Sequence, residues 1–538
     1  MGEVHPLERP SSFVDPIHGL VRLTEEELRV VDTPTFQRLR RVKQNGLLHL
    51  VFPAATHSRF EHSIGVLACV DSMLQALILN SEAARGRLAT AGKAEQMEGV
   101  DFSALDSRTL KSIFRVARLA ALVHDLGHGP CSHAFDSFAP RQDRIRQMLT
   151  REEEKALAPL RPHVELILGG KKAKKAKKAK KAEGAEGAKT AGREPVPHEV
   201  MSVVLFAWVW HEQKQEPSGE PELLLAVCAA ILGGELIDAI PEHPLAPWLP
   251  LLHDLVASAP VDADRMDYVE RDSRSCGVTY GIFDRDRLLK SLLCYRADTP
   301  TAEPQYRLGW KRSGLRAIEN FLQARFQLFV QIYYHKTNHA LSLMLKELGD
   351  RAKSLDKEIF PETSLAELAR AYADLGDESF LRLLRGLDPA RFKCEDEIHA
   401  LAEAIERRHL WHRVYESHDG RRTAGVVLQA LKKGGAGEHL RLDEQDPKAT
   451  KDLDQGGALL DRGEDGHYRV RQTAKWTSAS PVLKTLEDQE RAITRIYFCR
   501  TEDASTSWDE IEEDTRWLQE EARGLDSEPK RGKKNKQR

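Results

Sequence analysis

Apolar residues recur at helical spacing through most of the first two thirds of the chain. A polar entry and a short extended piece near residue 12 come first. VDTPTFQRLRRVKQNGLL then opens on Thr33-Pro34, a helix-start pair, and sets out Phe36, Leu39, Val42 and Leu47. Residues 59–79, RFEHSIGVLACVDSMLQALIL, have the apolar density of a largely buried helix. Residues 112–130, SIFRVARLAALVHDLGHGP, predict another, closed by Gly127, Gly129 and Pro130. The periodicity resumes at His198, runs to about 348, and is strongest in GLRAIENFLQARFQLFVQIYYHKTNHALSLMLKEL. Farther on, helical patches give way to Gly/Asp-rich stretches and short strand candidates such as HYRVRQ and ITRIYFCR. The fold expected is mainly α: an all-helical core with a smaller α+β C-terminal region.

A charge-rich break interrupts the core. Residues 141–197 centre on KKAKKAKKAKKAEGAEGAK, with eight lysines between 171 and 181 and no apolar face to pack. That composition predicts a solvated, partly disordered insertion, and its functional reading is a basic arm that touches nucleic acid. The expected organisation is therefore 1–140 and 198–348 as two halves of one core, 141–197 as insertion, 349–523 as the α+β region and 524–538 as a basic disordered tail. A chain of 538 residues with 41% hydrophobic content can bury cores of this kind. Its net charge of −3 argues against a protein that merely coats nucleic acid. The seven cysteines are scattered without a CxxC pair, as in a cytoplasmic protein with reduced thiols. The N-terminus lacks a signal-like apolar run, and apolar stretches such as LLLAVCAAILGG look too short to span a bilayer, so no membrane partner is expected.

Reactive side chains concentrate in HDLGHGPCSHAFD, 124–136, where three histidines and two aspartates surround the end of an apolar helix. Burying an imidazole and a carboxylate there is costly unless they are paired or bound to a cation. THSRFEHS, 56–63, sets Arg59 and His62 three apart on one helical face, and VDADRMDYVERDS, 261–273, carries Asp262, Asp264, Asp267 and Asp272 with Arg265 and Tyr268. An exposed acidic helix face would read the same way. Two neutral histidines with two carboxylates would suit Mn²⁺, Mg²⁺, Fe²⁺ or Zn²⁺.

These pieces, with DPIHGLVRL (15–23), HEVMS (198–202) and GLRAIENFLQARFQLFVQIYYHK (314–336), occur in the order found in the HD phosphohydrolase superfamily. The chain resembles most closely its deoxynucleoside triphosphate triphosphohydrolase branch, which includes the vertebrate SAM-and-HD-domain enzyme. The match covers most of 12–348, and a SAM domain is not expected. The resemblance implies that His62, His124, Asp125 and Asp264 bind a divalent metal and that Arg59 neutralises phosphate charge beside it. It places His128, His133, Asp136 and His198 at the cleavage site, with His133, oriented by Asp136, as general acid. It assigns Arg265, Tyr268 and Arg325 to the polyphosphate, Gln44 and Asp272 to the sugar, and Tyr333 to the sugar or base. It further implies a dNTP substrate and a homo-oligomer. In the vertebrate enzyme a lysine and an asparagine before DPIHG belong to an activating nucleotide site. Ser11 and Val14 stand in their places, although Asp32, Gln37 and Arg40 are kept, which argues against the same activation. The competing readings are an HD-type nuclease or phosphodiesterase, and a non-catalytic nucleotide- or nucleic-acid-binding scaffold.

Overall fold

A computed structural model describes residues 5–90, 99–169, 194–214, 220–257, 260–297, 304–354, 364–385, 395–417, 421–433, 439–445, 458–462, 468–470, 476, 480–489, 493–499 and 508–527. The lysine-rich run at 171–181 and the basic tail lie outside them. The chain forms two units interleaved along the sequence. One comprises Met1–Leu328, Asp356–Phe380 and Ala449–Glu487; the other comprises Phe329–Leu355, Leu381–Lys448 and Asp488–Arg538.

The first unit begins with an antiparallel hairpin, β1 (Ser11–Asp15) and β2 (Gly19–Leu23), in which Ser11 faces Leu23 and Asp15 faces Gly19. Gly19 has φ +69°, which the tight turn requires and side-chain-bearing residues rarely adopt. Thr24 and Glu27 then form a reciprocal capping box that starts α1 (Glu25–Val31). Thr33 caps the short helix Pro34–Gln37, whose chain tightens into a 3₁₀ turn at Arg38–Arg41. The helical reading at Thr33-Pro34 thus holds for little more than two turns.

The core is helical. The helix α2 (Arg59–Thr90) outruns the predicted 59–79 because polar residues also find partners along it. Asn80 Nδ2, for example, donates to the carbonyl oxygens of Leu289 and Leu292 at 2.9 and 2.8 Å. Contrary to the expectation from apolar stretch lengths, Arg59–Gly86 is long and apolar enough to cross a membrane, yet it is mostly buried inside the protein, as a core helix is. Against it packs α3 (Ser107–Val123), capped by Asp106 and buried without interruption from Ile113 to Phe114 and from Val116 to Val123. Each large apolar side chain removed from water there contributes about 1.5–3 kcal/mol. The helix α4 (His198–Lys214) packs on α5 (Pro221–Leu232), α5 and α6 (Leu249–Ala257) pack on α3, and α7 (Ala263–Ser275) lies along α2. The unit continues through α8 (Leu315–Leu328). A small sheet accompanies the helices: β3 (Leu292–Ala297) and β4 (Gln305–Lys311) pair antiparallel, Ala458–Arg462 joins β4 in parallel, and Tyr468–Val470 closes the edge.

The second unit is α+β. Ile493–Phe498, within the predicted strand ITRIYFCR, is the central strand between His412–Ser417 and Leu440–Gln445, antiparallel to both and buried along its length. Arg421–Leu431 and Trp508–Ser527 pack Ala424, Val427, Ile511 and Leu518 onto Val414, Leu440 and Ile496. The molecule is mainly α, as the periodicity predicts.

Candidate metal centre

The four proposed ligands come from three segments of the first unit. His62 sits one turn into α2. His124 and Asp125 follow the last turn of α3, where the helix gives way to the HDLGHG loop. Asp264 occupies the first turn of α7. His62 Nε2 lies 3.1 Å from Asp264 Oδ1 and 3.6 Å from Asp125 Oδ2, and His124 Nε2 lies 3.4 Å from Asp125 Oδ1 and 3.8 Å from Asp264 Oδ1. The His62, His124 and Asp264 ligand atoms fall within 4.8 Å of one another. The structure therefore brings together all four residues.

Both histidines present Nε2 inward because their other nitrogens are occupied. His62 Nδ1 meets Asp267 Oδ2 at 2.7 Å, and His124 Nδ1 meets the carbonyl oxygen of Ala121 at 2.7 Å. Each Nδ1 thus carries the proton, which leaves a lone pair on Nε2. Those two Nε2 atoms are buried and, among the described residues, make no well-aligned hydrogen bond, facing instead the carboxylates of Asp264 and Asp125. A buried orphan imidazole nitrogen costs free energy, and two of them aimed at two carboxylates fit a divalent cation. The electrostatics agree. Burial would depress His62, but Asp264, Asp267 and Asp125 outweigh it and lift the imidazole to about 10, a surplus of negative charge that calls for a cation. Burial would likewise raise Asp264, and His124 and His62 instead hold it well below the usual carboxylate range.

The loop behind the ligands is fixed by groups from other segments. Ser202 Oγ on α4 donates to the His124 carbonyl at 2.6 Å and accepts from Gly127 N at 2.8 Å. A Cβ on Gly127 would lie 2.3 Å from the His198 carbonyl oxygen, so only glycine allows α4 this close. The fully buried Arg38 donates to the carbonyls of Leu126 and His128 at 2.6 and 2.8 Å. Cys131 and Ser132 are both left-handed, at φ 57° and 58°, a strained pair for non-glycine residues. Their loop is held where Asp377 accepts from the backbone N–H of Cys131 at 2.7 Å and of Lys43 at 2.9 Å.

The remaining predicted residues fall in several places. Arg59 is buried beside the ligands, ion-paired with Asp125 and donating to Ser132 Oγ at 2.6 Å. The rings of His128 and His198 stack at 3.6 Å, and His128 Nε2 lies 3.4 Å from Asp125 Oδ1. Arg265 pairs with Asp262, the N-cap of α7, and Arg325 Nε donates to the Tyr268 hydroxyl at 2.9 Å. Gln44 is buried, and its Oε1 has no partner among the described residues. Asp272 is buried against His57, 2.7 Å from its Nε2. Asp136 is exposed, whereas the His133 side chain lies outside the described residues. Tyr333 belongs to the second unit. Sequence reasoning passed over Arg38 and Asp377, and named Asp267 without giving it a role. Arg38 hides beside two other arginines and a lysine in RLRRVK, and Asp377 sits in an unremarked LGDESF.

No protein-family model matches the chain. It is 25% identical over 416 residues to the uncharacterized protein YwfO of Bacillus subtilis, covering 76% of this chain and 72% of that one. It is 26% identical over 424 residues to the human deoxynucleoside triphosphate triphosphohydrolase SAMHD1, covering 75% of this chain and 54% of the relative. The chain thus spans about half the length of that curated enzyme. A crystal structure of a hypothetical protein from Aquifex aeolicus, 25% identical, superposes with a TM-score of 0.53 over 96% of this chain and 99% of its own.

Proposed function

We propose that this chain, a relative of the HD-domain triphosphohydrolases, is a metal-dependent hydrolase that cleaves dNTPs to deoxynucleoside and tripolyphosphate. The observation that carries the reading is the pair of buried Nε2 atoms of His62 and His124, aimed at Asp264 and Asp125 with no well-aligned hydrogen bond among the described residues and with the Arg59 guanidinium alongside. The similarity to the human triphosphohydrolase supports the substrate class.

His62, His124, Asp125 and Asp264 would hold the cation, which would supply Lewis-acid stabilisation of charge on a phosphoryl oxygen. Arg59, buried and fixed by Asp125 and Ser132, would add a second positive centre that needs no reorganisation as charge develops. His128 and His198 stack face to face beside Asp125 and would line the cleavage site. His133 and Asp136 complete the proposed cleavage site, with His133 delivering a proton to the leaving 5′-oxygen. Arg325, aligned by Tyr268, and Arg265 would bind the remaining phosphates. Gln44, whose buried Oε1 has no partner among the described residues, and Asp272 would receive the sugar hydroxyl.

The test is product analysis. Purified protein is incubated with each dNTP and Mn²⁺, Mg²⁺ or Fe²⁺, and the products are resolved by ion exchange. Deoxynucleoside with tripolyphosphate is expected. Nucleoside monophosphate, or cleavage of oligonucleotides alone, would replace this reading with a nuclease or phosphodiesterase. Loss of all turnover in His124→Ala/Asp125→Ala, with helical content kept, is the expected control.

A further inference from the structure

The DPIHG segment of the hairpin has no place among the metal ligands or phosphate-binding groups, yet two of its side chains are buried in the core. His18 Nε2 lies 2.6 Å from Asp267 Oδ1, and Asp15 Oδ2 pairs with Arg271 Nη2 at 2.9 Å. Arg271 in turn grips Asp267 with two parallel bonds, Nε to Oδ2 at 2.8 Å and Nη2 to Oδ1 at 2.9 Å. The fourth bond to this carboxylate comes from His62 Nδ1 on Oδ2.

Asp267 therefore receives two donors on each oxygen, which saturates its lone pairs. Its position admits no slack either, because a Cβ on Gly65 would lie 1.9 Å from Asp267 Oδ1. The tautomer of His18 follows from its far side: Arg285 Nη1 donates to His18 Nδ1 at 2.9 Å, so the ring's own proton is on Nε2, directed at Asp267. His18, Cys69 and Asp267 also lie within metal-ligand distance of one another. A cation is excluded there, since Asp267 has no lone pair left and the Arg285 guanidinium already occupies the place, donating to Cys69 Sγ at 3.3 Å.

We infer that His18, backed by Arg285, is a positioning residue for the metal: through Asp267 it fixes the ring orientation and tautomer of His62, and the DPIHG turn serves as the outer sphere of the metal centre. The inference rests on His62 being a metal ligand. Outer-sphere partners of this kind change metal affinity by roughly 10–100-fold when removed.

The experiment measures Mn²⁺ affinity of the full chain by calorimetric titration after chelator treatment and dialysis, with the thermal midpoint of the metal-free protein as a check on folding. His18→Leu keeps volume and removes the donor, and is expected to weaken Mn²⁺ binding roughly 10–100-fold. His18→Gln, whose amide can still donate to Asp267, should restore affinity to within about threefold of wild type, a rescue that a purely structural role would not produce. A folded His18→Leu that binds Mn²⁺ as wild type does would overturn the inference. Should His18→Leu not fold, Arg285→Met at the outer end of the contacts decides: weakening of about threefold or more supports the inference, and unchanged affinity overturns it. His62→Ala separates the two layers of the argument. If that variant still binds Mn²⁺ at full strength, the ligand assignment fails, whatever the His18 variants do.

Discussion

Replacing Arg38 with methionine should separate the geometry of the catalytic loop from the stability of the fold. The Arg38 guanidinium is wholly buried, and its donors go to the carbonyls of Leu126 and His128, on either side of Gly127. Burial lowers its pKa to about 10, with the Tyr372 ring, 5.2 Å from the guanidinium carbon, giving partial relief. A depression of that size corresponds to about 3 kcal/mol of unfavourable charge burial in the native state. Methionine nearly matches the length of the side chain and removes the charge. It also leaves two buried carbonyls without donors, at about 1–3 kcal/mol each. The two effects oppose each other and are of similar size, so the unfolding free energy should change by less than about 2 kcal/mol. Function has no such compensation. The carbonyls that Arg38 holds follow directly on His124 and Asp125, and a displacement on the order of an ångström at reacting groups costs about 100-fold in rate. Urea unfolding followed by circular dichroism, run beside Mn²⁺-dependent dNTP hydrolysis, gives both numbers. The reasoning fails if Arg38→Met keeps more than about a tenth of wild-type activity. It fails equally if stability drops by more than about 4 kcal/mol and activity falls only in step with the folded fraction.

Three further outcomes follow from other parts of the first unit. Chelation should lower thermal stability, and Mn²⁺ restored to about 100 times its Kd should return roughly 2.7 kcal/mol; the same gain in His124→Ala/Asp125→Ala would contradict the ligand set. Asp377→Ala should cost about 2–4 kcal/mol, because the backbone N–H groups of Cys131 and Lys43 both lose a buried charged acceptor. Its hydrolysis rate should fall further than its stability explains, and an unchanged rate per folded molecule would show that the left-handed Cys131–Ser132 turn holds without it. Asp71 is mostly buried; burial would raise its carboxyl, but His5, Arg118 and Arg9 prevail and hold it at about 2. A depressed carboxyl stabilises the fold above its ordinary range near pH 4 and loses that contribution as pH falls toward 2, here about 2 kcal/mol. The thermal midpoint of Asp71→Asn should therefore be lower than wild type at pH 7, and the gap should narrow below about pH 4 and close near pH 2; a constant gap would refute the linkage.

What could be read from the sequence depended on how far the chemistry spread along it. His124 and Asp125 stand out locally because titratable groups crowd the end of an apolar helix, and the structure buries both. His62 and Asp264 required the family order of motifs, since 202 positions separate residues that end 3.1 Å apart. The central strand Ile493–Phe498 showed itself through dense β-branched and aromatic residues, as a strand buried on both faces should. Arg38, Asp377 and His18 gave no such signal, because their partners are backbone groups or a distant carboxylate, and neither leaves a periodicity.

Asp267 is the instructive case, because a signal was present and belonged to the wrong category. In VDADRMDYVERDS the acidic residues can be taken for one solvated helix face, yet Asp264, Asp267 and Arg271 follow the i, i+3, i+7 spacing that apolar residues use to face a core. The structure turns that face toward α2. Successive acids, one turn apart, meet the two nitrogens of a single imidazole: Asp264 lies by Nε2 of His62, where the cation would sit, and Asp267 by Nδ1. Arg271, one turn on, neutralises the second acid and leaves the first free to serve a metal. A helical stripe of charge that ends in a buried arginine is thus better read as the wall of a site than as a surface. The distinction rests on which face the apolar residues leave open: Met266 and Val269 are buried together with Asp267 and Arg271, which no solvated face would allow.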